Sequence, residues 1–295
     1  MFVITYQKIF LTLSAVFVAV GLGFIVAFGL TPGIDFTGGS ALGLSFADVR
    51  PETTVLKERA DNVGFSDALI QTVGDKGISV KTRDLTDAER AYLIAALTDD
   101  GREVATQESF TTIGPSVGSE LKRKAILSIV LVLISIICFV AYAFRKVSTP
   151  VSSWKYGLAV IIALAHDIII PAGVFALLGH LIGAEVDTLF VVALLTTLAL
   201  SVSDTIVVFD RVRENLPLMK GASFSSVVGE SLSQTFARSI NTSLVVLVMV
   251  VALALFGPSS TRLFATVLAI GMFFGTYSSI FLASPLLVLM AGKGK

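Results

Sequence analysis

Asp204 and Arg238 are the first places to look for chemistry, because both stand in stretches otherwise apolar enough to cross a membrane. An ionisable side chain there costs at least about 2.5–3.5 kcal/mol on insertion scales, so its presence needs a reason. Asp204 precedes Asp210, at the edge of the same apolar run, by six residues. At the helical rise it therefore sits roughly 9 Å deep, and Arg238 falls in the first turn of the next run at similar depth. Thr197 and Ser201 share a helix face with Asp204, seven and three residues before it. Ser231, Gln234, Thr235, Asn241 and Thr242 recur around Arg238 at separations of three, four or seven. Two such stripes facing each other make a hydrophilic seam. A carboxylate in it could exchange a proton for the approach of a cation, which is the logic of a relay. Arg238 itself does not titrate. A static ion pair that fixes helix packing, or an arginine that snorkels to the interface, would use the same residues.

His166 and Asp167 lie mid-way along another apolar run. As sequence neighbours they project about 100° apart on a helix, so they are not expected to meet the same neighbour. They serve either as a relay or as a packing pair bonded to adjacent helices. A metal site is disfavoured: His166 and His180 are the only histidines, and no cluster of carboxylates joins them. Asp210, Arg211, Arg213 and Glu214 read as boundary charges.

Six runs long enough for a span position these groups: Ile9 to Leu30, Ala125 to Phe144, Tyr156 to Leu178, Thr188 to Phe209, Ser239 to Phe256 and Leu263 to Met290. The first has 22 residues, more than a signal-peptide core, and no small-x-small cleavage site follows it, so it is read as an anchor. The last is long enough to tilt or bend, with Pro285 a place for that. Lys8, Arg145, Lys146, Lys155, Arg211, Arg213, Lys220, Arg238, Lys293 and Lys295 fall on one side of the bundle, which predicts that side, and both termini, to be cytoplasmic. Arg262 and the Lys122-Arg123-Lys124 cluster fall on the other.

The chain has 295 residues, 54% hydrophobic and 15% charged, against about 25% charged in an ordinary soluble domain. Its 22 basic and 22 acidic residues cancel, so no basic surplus argues for nucleic acid. Residues 31–121 hold 23 of the 44 charges, 15 of them acidic. That loop reads as a small outer domain in the order β-α-β-β-α-β, a ferredoxin-like split βαβ fold. The strands are Gly39 to Phe46, Ala68 to Val73, Ile78 to Arg83 and Glu103 to Thr111. The helices are Glu52 to Val63 and Thr86 to Leu97, the second opened by a Thr-Asp-Ala-Glu capping box. The expected organisation is thus 1–30 with the first span, 31–121 as the outer domain, and 122–295 as a five-helix bundle. Within the bundle, 211–237 reads as an amphipathic linker helix on the inner membrane surface or docked on the bundle, because Phe224, Val227, Val228, Leu232 and Phe236 recur at helical spacing.

Several classes drop out. Cys138 is the single cysteine, which removes disulfides and thiolate metal sites. No Walker A sequence is present, and Gly33-Ile34-Asp35-Phe36-Thr37-Gly38-Gly39 lacks the G-x-G-x-x-G spacing. Gly271 and Gly275 form a G-x-x-x-G that points to close helix packing. No cofactor, no metal and no enzymatic activity are expected.

Five ordered motifs resemble the SecF family, subunits of the bacterial SecD/SecF protein-export complex within the resistance-nodulation-division superfamily. They are Gly33 to Gly39, Gly114-Pro115-Ser116-Val117-Gly118-Ser119-Glu120-Leu121, Ala165-His166-Asp167, the run from Asp204 to Asn215, and Arg238-Ser239-Ile240-Asn241-Thr242-Ser243. The resemblance covers nearly the whole chain. It implies a polytopic protein of the bacterial inner membrane, with six spans and one extracytoplasmic ferredoxin-like domain, that couples proton flow to late translocation of unfolded preproteins. It also implies SecD as the complementary half, the SecYEG channel and accessory Sec subunits as further partners, and Asp204, Arg238 and Thr242 as proton-pathway positions. One departure stands out: Ala199-Leu200-Ser201-Val202-Ser203-Asp204 replaces the family's usual Gly-Tyr-Ser-x-Asn-Asp, so the aspartate lacks its asparagine neighbour. Two rival readings remain open at this point, a non-transporting scaffold bracing the channel and a half-transporter for lipids or small hydrophobic molecules.

Overall fold

A computed structural model describes residues 2–145 and 151–292. Lys146, Lys293 and Lys295 of the orienting set lie outside the described residues. Among the described residues, six helices are long and apolar enough to cross a membrane: Gln7–Phe28, Pro115–Ala143, Ser153–Ile182, Thr188–Leu218, Phe224–Phe256 and Ser260–Ala291. Each overlaps one of the six expected runs.

In chain order the elements are α1 (Phe2–Thr5), α2 (Gln7–Phe28), α3 (Ile34–Thr37), β1 (Gly39–Phe46), α4 (Thr53–Asn62), β2 (Leu69–Val73), β3 (Gly77–Thr82), α5 (Asp87–Leu97), β4 (Ala105–Ile113), α6 (Pro115–Ala143), α7 (Ser153–Ile182), α8 (Thr188–Leu218), α9 (Phe224–Phe256) and α10 (Ser259–Ser278). A π-helical turn over Ser279–Ala283 then leads into α11 (Ser284–Ala291). Two compact units result: residues 32–126 with 185–188, and the remaining helical residues.

The smaller unit is built on one four-stranded sheet in the order β2-β3-β1-β4, every neighbouring pair antiparallel. With the observed chain order this is the split βαβ arrangement expected from the sequence. Residues alternate in β1, so Leu42, Leu44 and Phe46 are buried, and α4 and α5 contribute Leu56, Ala60, Leu93 and Leu97 to the same core. The capping box of α5 is formed. Thr86 Oγ1 accepts from the Glu89 backbone N–H at 3.3 Å, and Glu89 accepts from the Thr86 N–H at 2.9 Å. Arg83 donates to Glu89 at 2.6 Å, and this bond, followed by those from Thr86, holds the Glu89 carboxyl down at about 2.

The helical unit has its own core. Phe144 and Tyr156 stack with centroids 5.1 Å apart, and Phe209 meets the Tyr156 ring edge-on at 5.4 Å. The segment 211–237 is not one linker helix. It is shared between the end of α8 and the start of α9, joined by a turn at 219–223. Phe224, Val227, Val228 and Leu232 are buried in the core of the helical unit, so its apolar stripe docks on protein instead of on a membrane surface. The π turn ends two residues before Pro285, where the ring has no N–H to donate and crowds the preceding turn.

Candidate functional site

Asp204 projects from the middle of α8, 16 residues after its first residue, about 24 Å along the axis. It is half-buried, and its Oδ2 accepts a hydrogen bond from Ser243 Oγ of α9 at 2.9 Å. A partly open cleft of about 70 Å³ lies beside it, lined by Ser201 and Ser203 of α8, Thr242 and Ser243 of α9, and Gly275 and Thr276 of α10. That space admits one or two waters among hydroxyl groups able to bond them.

Arg238 does not close on the carboxylate. It is exposed on α9, and the ion pairs found among the described residues do not join it to Asp204. Thr242 Oγ1 donates to the Arg238 carbonyl at 2.8 Å, so its proton belongs to the helix backbone, while its side chain lines the cleft. Asn241 is exposed beside it, and Ser203, which stands where the family has its asparagine, is exposed and lines the cleft. The hydroxyl that reaches Asp204 is that of Ser243, five residues beyond Arg238. Ser243 stands at the end of the Arg238–Ser243 motif, which by itself gives it no role. The signal was its position on α9 next to Thr242, but only helix register shows which of the two faces α8.

His166 and Asp167 of α7 form a second polar centre, fully buried. His166 Nδ1 and Asp167 Oδ1 are 2.9 Å apart. Asp167 Oδ2 also accepts from Ser278 Oγ of α10 at 2.8 Å and from Ser201 Oγ of α8. The His166 ring lies nearly parallel to that of Tyr277, centroids 5.9 Å apart, with Phe274 edge-on at 6.0 Å. The expectation that the two residues meet different neighbours therefore does not hold: both face α10. The 100° divergence of their Cα–Cβ bonds is overcome because the imidazole and carboxylate bend toward each other, closing the gap with a hydrogen bond. His166 Nε2 is buried without a hydrogen-bond partner among the described residues.

The anticipated stripe thus divides. Ser201 bonds to Asp167, whereas Asp204, a turn later, bonds to Ser243. Thr205 joins the first group through a 2.8 Å contact with Ser279 in the π turn. On α9, Ser231 and Thr235 donate to their own helix carbonyls, and Ser231 accepts from Asn215 at 2.9 Å. Gly271 and Gly275 allow this convergence: a Cβ at Gly271 would lie 2.2 Å from Thr197 Oγ1, and one at Gly275 would lie 3.0 Å from Ser201 Cβ. Among the described residues no three histidine, cysteine or carboxylate side chains cluster as metal ligands.

Comparison with known proteins places these residues in context. Residues 94–293 match the family described as protein export membrane protein SecD/SecF, C-terminal. The protein translocase subunit SecF of Thermobaculum terrenum is 37% identical, the alignment covering 99% of this chain and 94% of the relative. The corresponding subunit of Anaerolinea thermophila is 35% identical over 96% of this chain and 92% of its own length. The crystal structure of SecDF, a translocon-associated membrane protein from Thermus thermophilus, superposes with a TM-score of 0.84 at 33% identity, covering 97% of this chain and 38% of that longer one. A SecDF crystal structure in a super-membrane-facing form gives a TM-score of 0.64 with the same coverage.

Proposed function

Because this chain belongs to the SecF family of Sec protein translocase subunits, multi-pass membrane proteins, we propose that it uses the proton-motive force to promote late preprotein translocation, with Asp204 as the proton carrier. The observation that carries this reading is the Asp204 site itself. A carboxylate without a paired cation stands at a small hydroxyl-lined cleft deep in a helix long enough to span a membrane. Such a group is neutral when it holds a proton, and when it releases one it needs compensation from a nearby cation. Arg238 is the cation on the facing helix, always charged and free of any ion pair found among the described residues. Proton loss at Asp204 draws Arg238 inward, and proton uptake releases it. Thr242, which lines the cleft and is bonded to the Arg238 carbonyl, passes along any tilt of that turn.

One proton crossing 100 mV supplies about 2.3 kcal/mol, enough to bias a two-state arrangement by about fifty-fold. Repeated strokes of that size hold an emerging unfolded chain against backsliding. In this reading the chain acts as a transport subunit and not as an enzyme.

A SecD half is the partner that fits. Ser203, Arg238 and Asn241 are exposed on helices that would otherwise present them to lipid, and polar groups at membrane depth face protein or water. The SecDF relative in which this region is 37% of the length provides the precedent of both halves in one chain. SecYEG with its accessory subunits is the channel served. Membership of the SecF family suggests the bacterial inner membrane, and the bias of Lys and Arg in short loops makes the termini cytoplasmic and the sheet unit extracytoplasmic.

The test is preprotein export in inner-membrane vesicles carrying the chain with its SecD half. Asp204→Asn is expected to assemble normally and to lose the part of export that responds to the proton gradient. Gradient-driven export at the wild-type level in that variant overturns the proton reading and leaves a bracing scaffold.

A further inference from the structure

The Gly33–Gly39 motif has no place in the proton chemistry, and it is not built to hold a nucleotide. Its surroundings show a different use. The short segment between α7 and α8 belongs to the compact unit that contains the sheet, although it is more than 100 residues from most of that unit in sequence. Four contacts hold it there. Pro32 and Val186 form a parallel bridge, and the Gly33 N–H donates to the Val186 carbonyl at 2.8 Å. The Thr188 N–H, at the first residue of α8, donates to Asp35 Oδ2 at 2.9 Å. Lys81 of β3 pairs with Glu185 at 2.8 Å, both side chains about four-fifths buried.

The motif leaves no slack. A Cβ on Gly33 would lie 3.2 Å from both Glu185 Oε2 and the Val186 carbonyl oxygen. Gly38, with φ +76°, has no room for a side chain either, since its Cβ would lie 2.8 Å from Pro115 Cα at the start of α6. From Thr188 the helix runs unbroken to Leu218 and carries Asp204 along the way. An α-helix transmits axial displacement well, because every residue is bonded to its neighbours one turn away.

We propose that the Gly33–Gly39 segment, Asp35 and the Lys81–Glu185 ion pair form a clasp that couples the start of α8 to the sheet, so that displacement of α8 on proton exchange is delivered to the sheet unit and not dissipated in the α7–α8 connection. This inference rests on the proton reading above. Asp35, Lys81 and Glu185 are positioning residues in it: they touch neither the proton site nor the exported chain. Asp35 holds the first turn of α8 by accepting from an N–H that has no partner inside the helix, where a negative charge is also favoured by the helix dipole. Lys81 and Glu185 fix the approach of the loop, and their burial makes them sensitive to charge reversal.

Two readouts on the same vesicles, proton flux by a pH-sensitive dye and export of a preprotein, test the clasp in the full chain assembled with its SecD half. Lys81→Glu and Glu185→Lys are each expected to leave gradient-driven flux within about twofold of wild type while lowering export by about five- to tenfold, an uncoupling that a folding defect would not give. The double exchange, Lys81→Glu with Glu185→Lys, is expected to restore export to at least about half. Asp35→Ala, which introduces no repulsion, is expected to accumulate normally and to lower export by about two- to fivefold at unchanged flux. Wild-type export in the single variants, a parallel fall of flux and export, or failure of the exchange to rescue overturns the clasp. Absence of gradient-driven flux from the unmutated vesicles refutes the proton reading and the clasp together, and the unmutated control separates that result from failure of the clasp alone.

Discussion

Gly271→Ala tests whether the close approach of α10 to α8 builds the buried Asp167 centre. The added Cβ would lie 2.2 Å from Thr197 Oγ1, 2.7 Å from Cγ2 and 3.0 Å from Cβ, all on one side chain. Carbon atoms prefer about 3.5–4.0 Å, so α10 must move by the better part of an ångström or Thr197 must leave its position. Overpacking of this kind costs about 1–3 kcal/mol. Thr197 is fully buried and its hydroxyl has no hydrogen-bond partner among the described residues. Thr197→Ala therefore loses about 0.8 kcal/mol of methyl burial and regains a similar amount by removing an unsatisfied hydroxyl, for a net effect near zero. The double variant removes the two closest obstructing atoms, leaving only the Cβ contact at 3.0 Å, and should recover most of the loss, giving a coupling of about 1–2 kcal/mol in a double-mutant cycle. Unfolding of the detergent-solubilised protein followed by circular dichroism measures all four corners. Additive effects, or Gly271→Ala as stable as wild type, would show that α10 does not rest on Thr197. Because Gly275 and Thr276 on the same helix line the cleft beside Asp204, any such displacement should also lower gradient-driven export, and recovery in the double variant ties that loss to packing.

Three further outcomes are expected. Tyr156→Phe removes a buried hydroxyl without a partner among the described residues while keeping the ring stack on Phe144, so it should leave stability unchanged or raise it by about 1 kcal/mol in the same melts. Arg59→Lys replaces a two-pronged contact to Glu103, at 2.8 and 3.0 Å, by a single one and also loses the bond to the Leu97 carbonyl. The partial exposure of both side chains limits the cost to about 1 kcal/mol, measured by denaturant titration. Glu89, held at about 2 against an ordinary 4.5, stabilises the folded state fully above pH 4.5 and loses that contribution as the pH falls toward 2. Carboxyl NMR should show Glu89 titrating near 2 in wild type and moving up in Arg83→Ala, and no movement would refute the Arg83 contact as its cause.

Local pattern made much of this protein legible in advance. Hydropathy over windows of about 20 residues located the six spans, because crossing hydrocarbon is a demand each helix meets alone. Alternation in Gly39–Phe46 and the capping box at Thr86 likewise act within a few residues and located the strand and helix they describe. The five motifs pointed to the family for the same reason, being read along one strand of text.

Contacts across helices were another matter. Periodicity put Thr197, Ser201 and Asp204 on one face, yet that face is wide enough to serve two neighbours, so Ser201 turned to Asp167 and Asp204 to Ser243. Equal depth brought Asp204 and Arg238 level without making them touch, since depth is set along the helix and contact by its rotation. The apolar stripe in 211–237 was real, but whether lipid or protein covers such a stripe depends on what else is near, and the core of the helical unit took Phe224, Val228 and Leu232. The role of Asp35 lay furthest from view, because its partner Thr188 is 153 positions away and only folding joins them. Sequence determined which residues must leave water and in what periodic order; tertiary structure decided their partners, because axial rotation and register between helices are settled by packing among all of them at once.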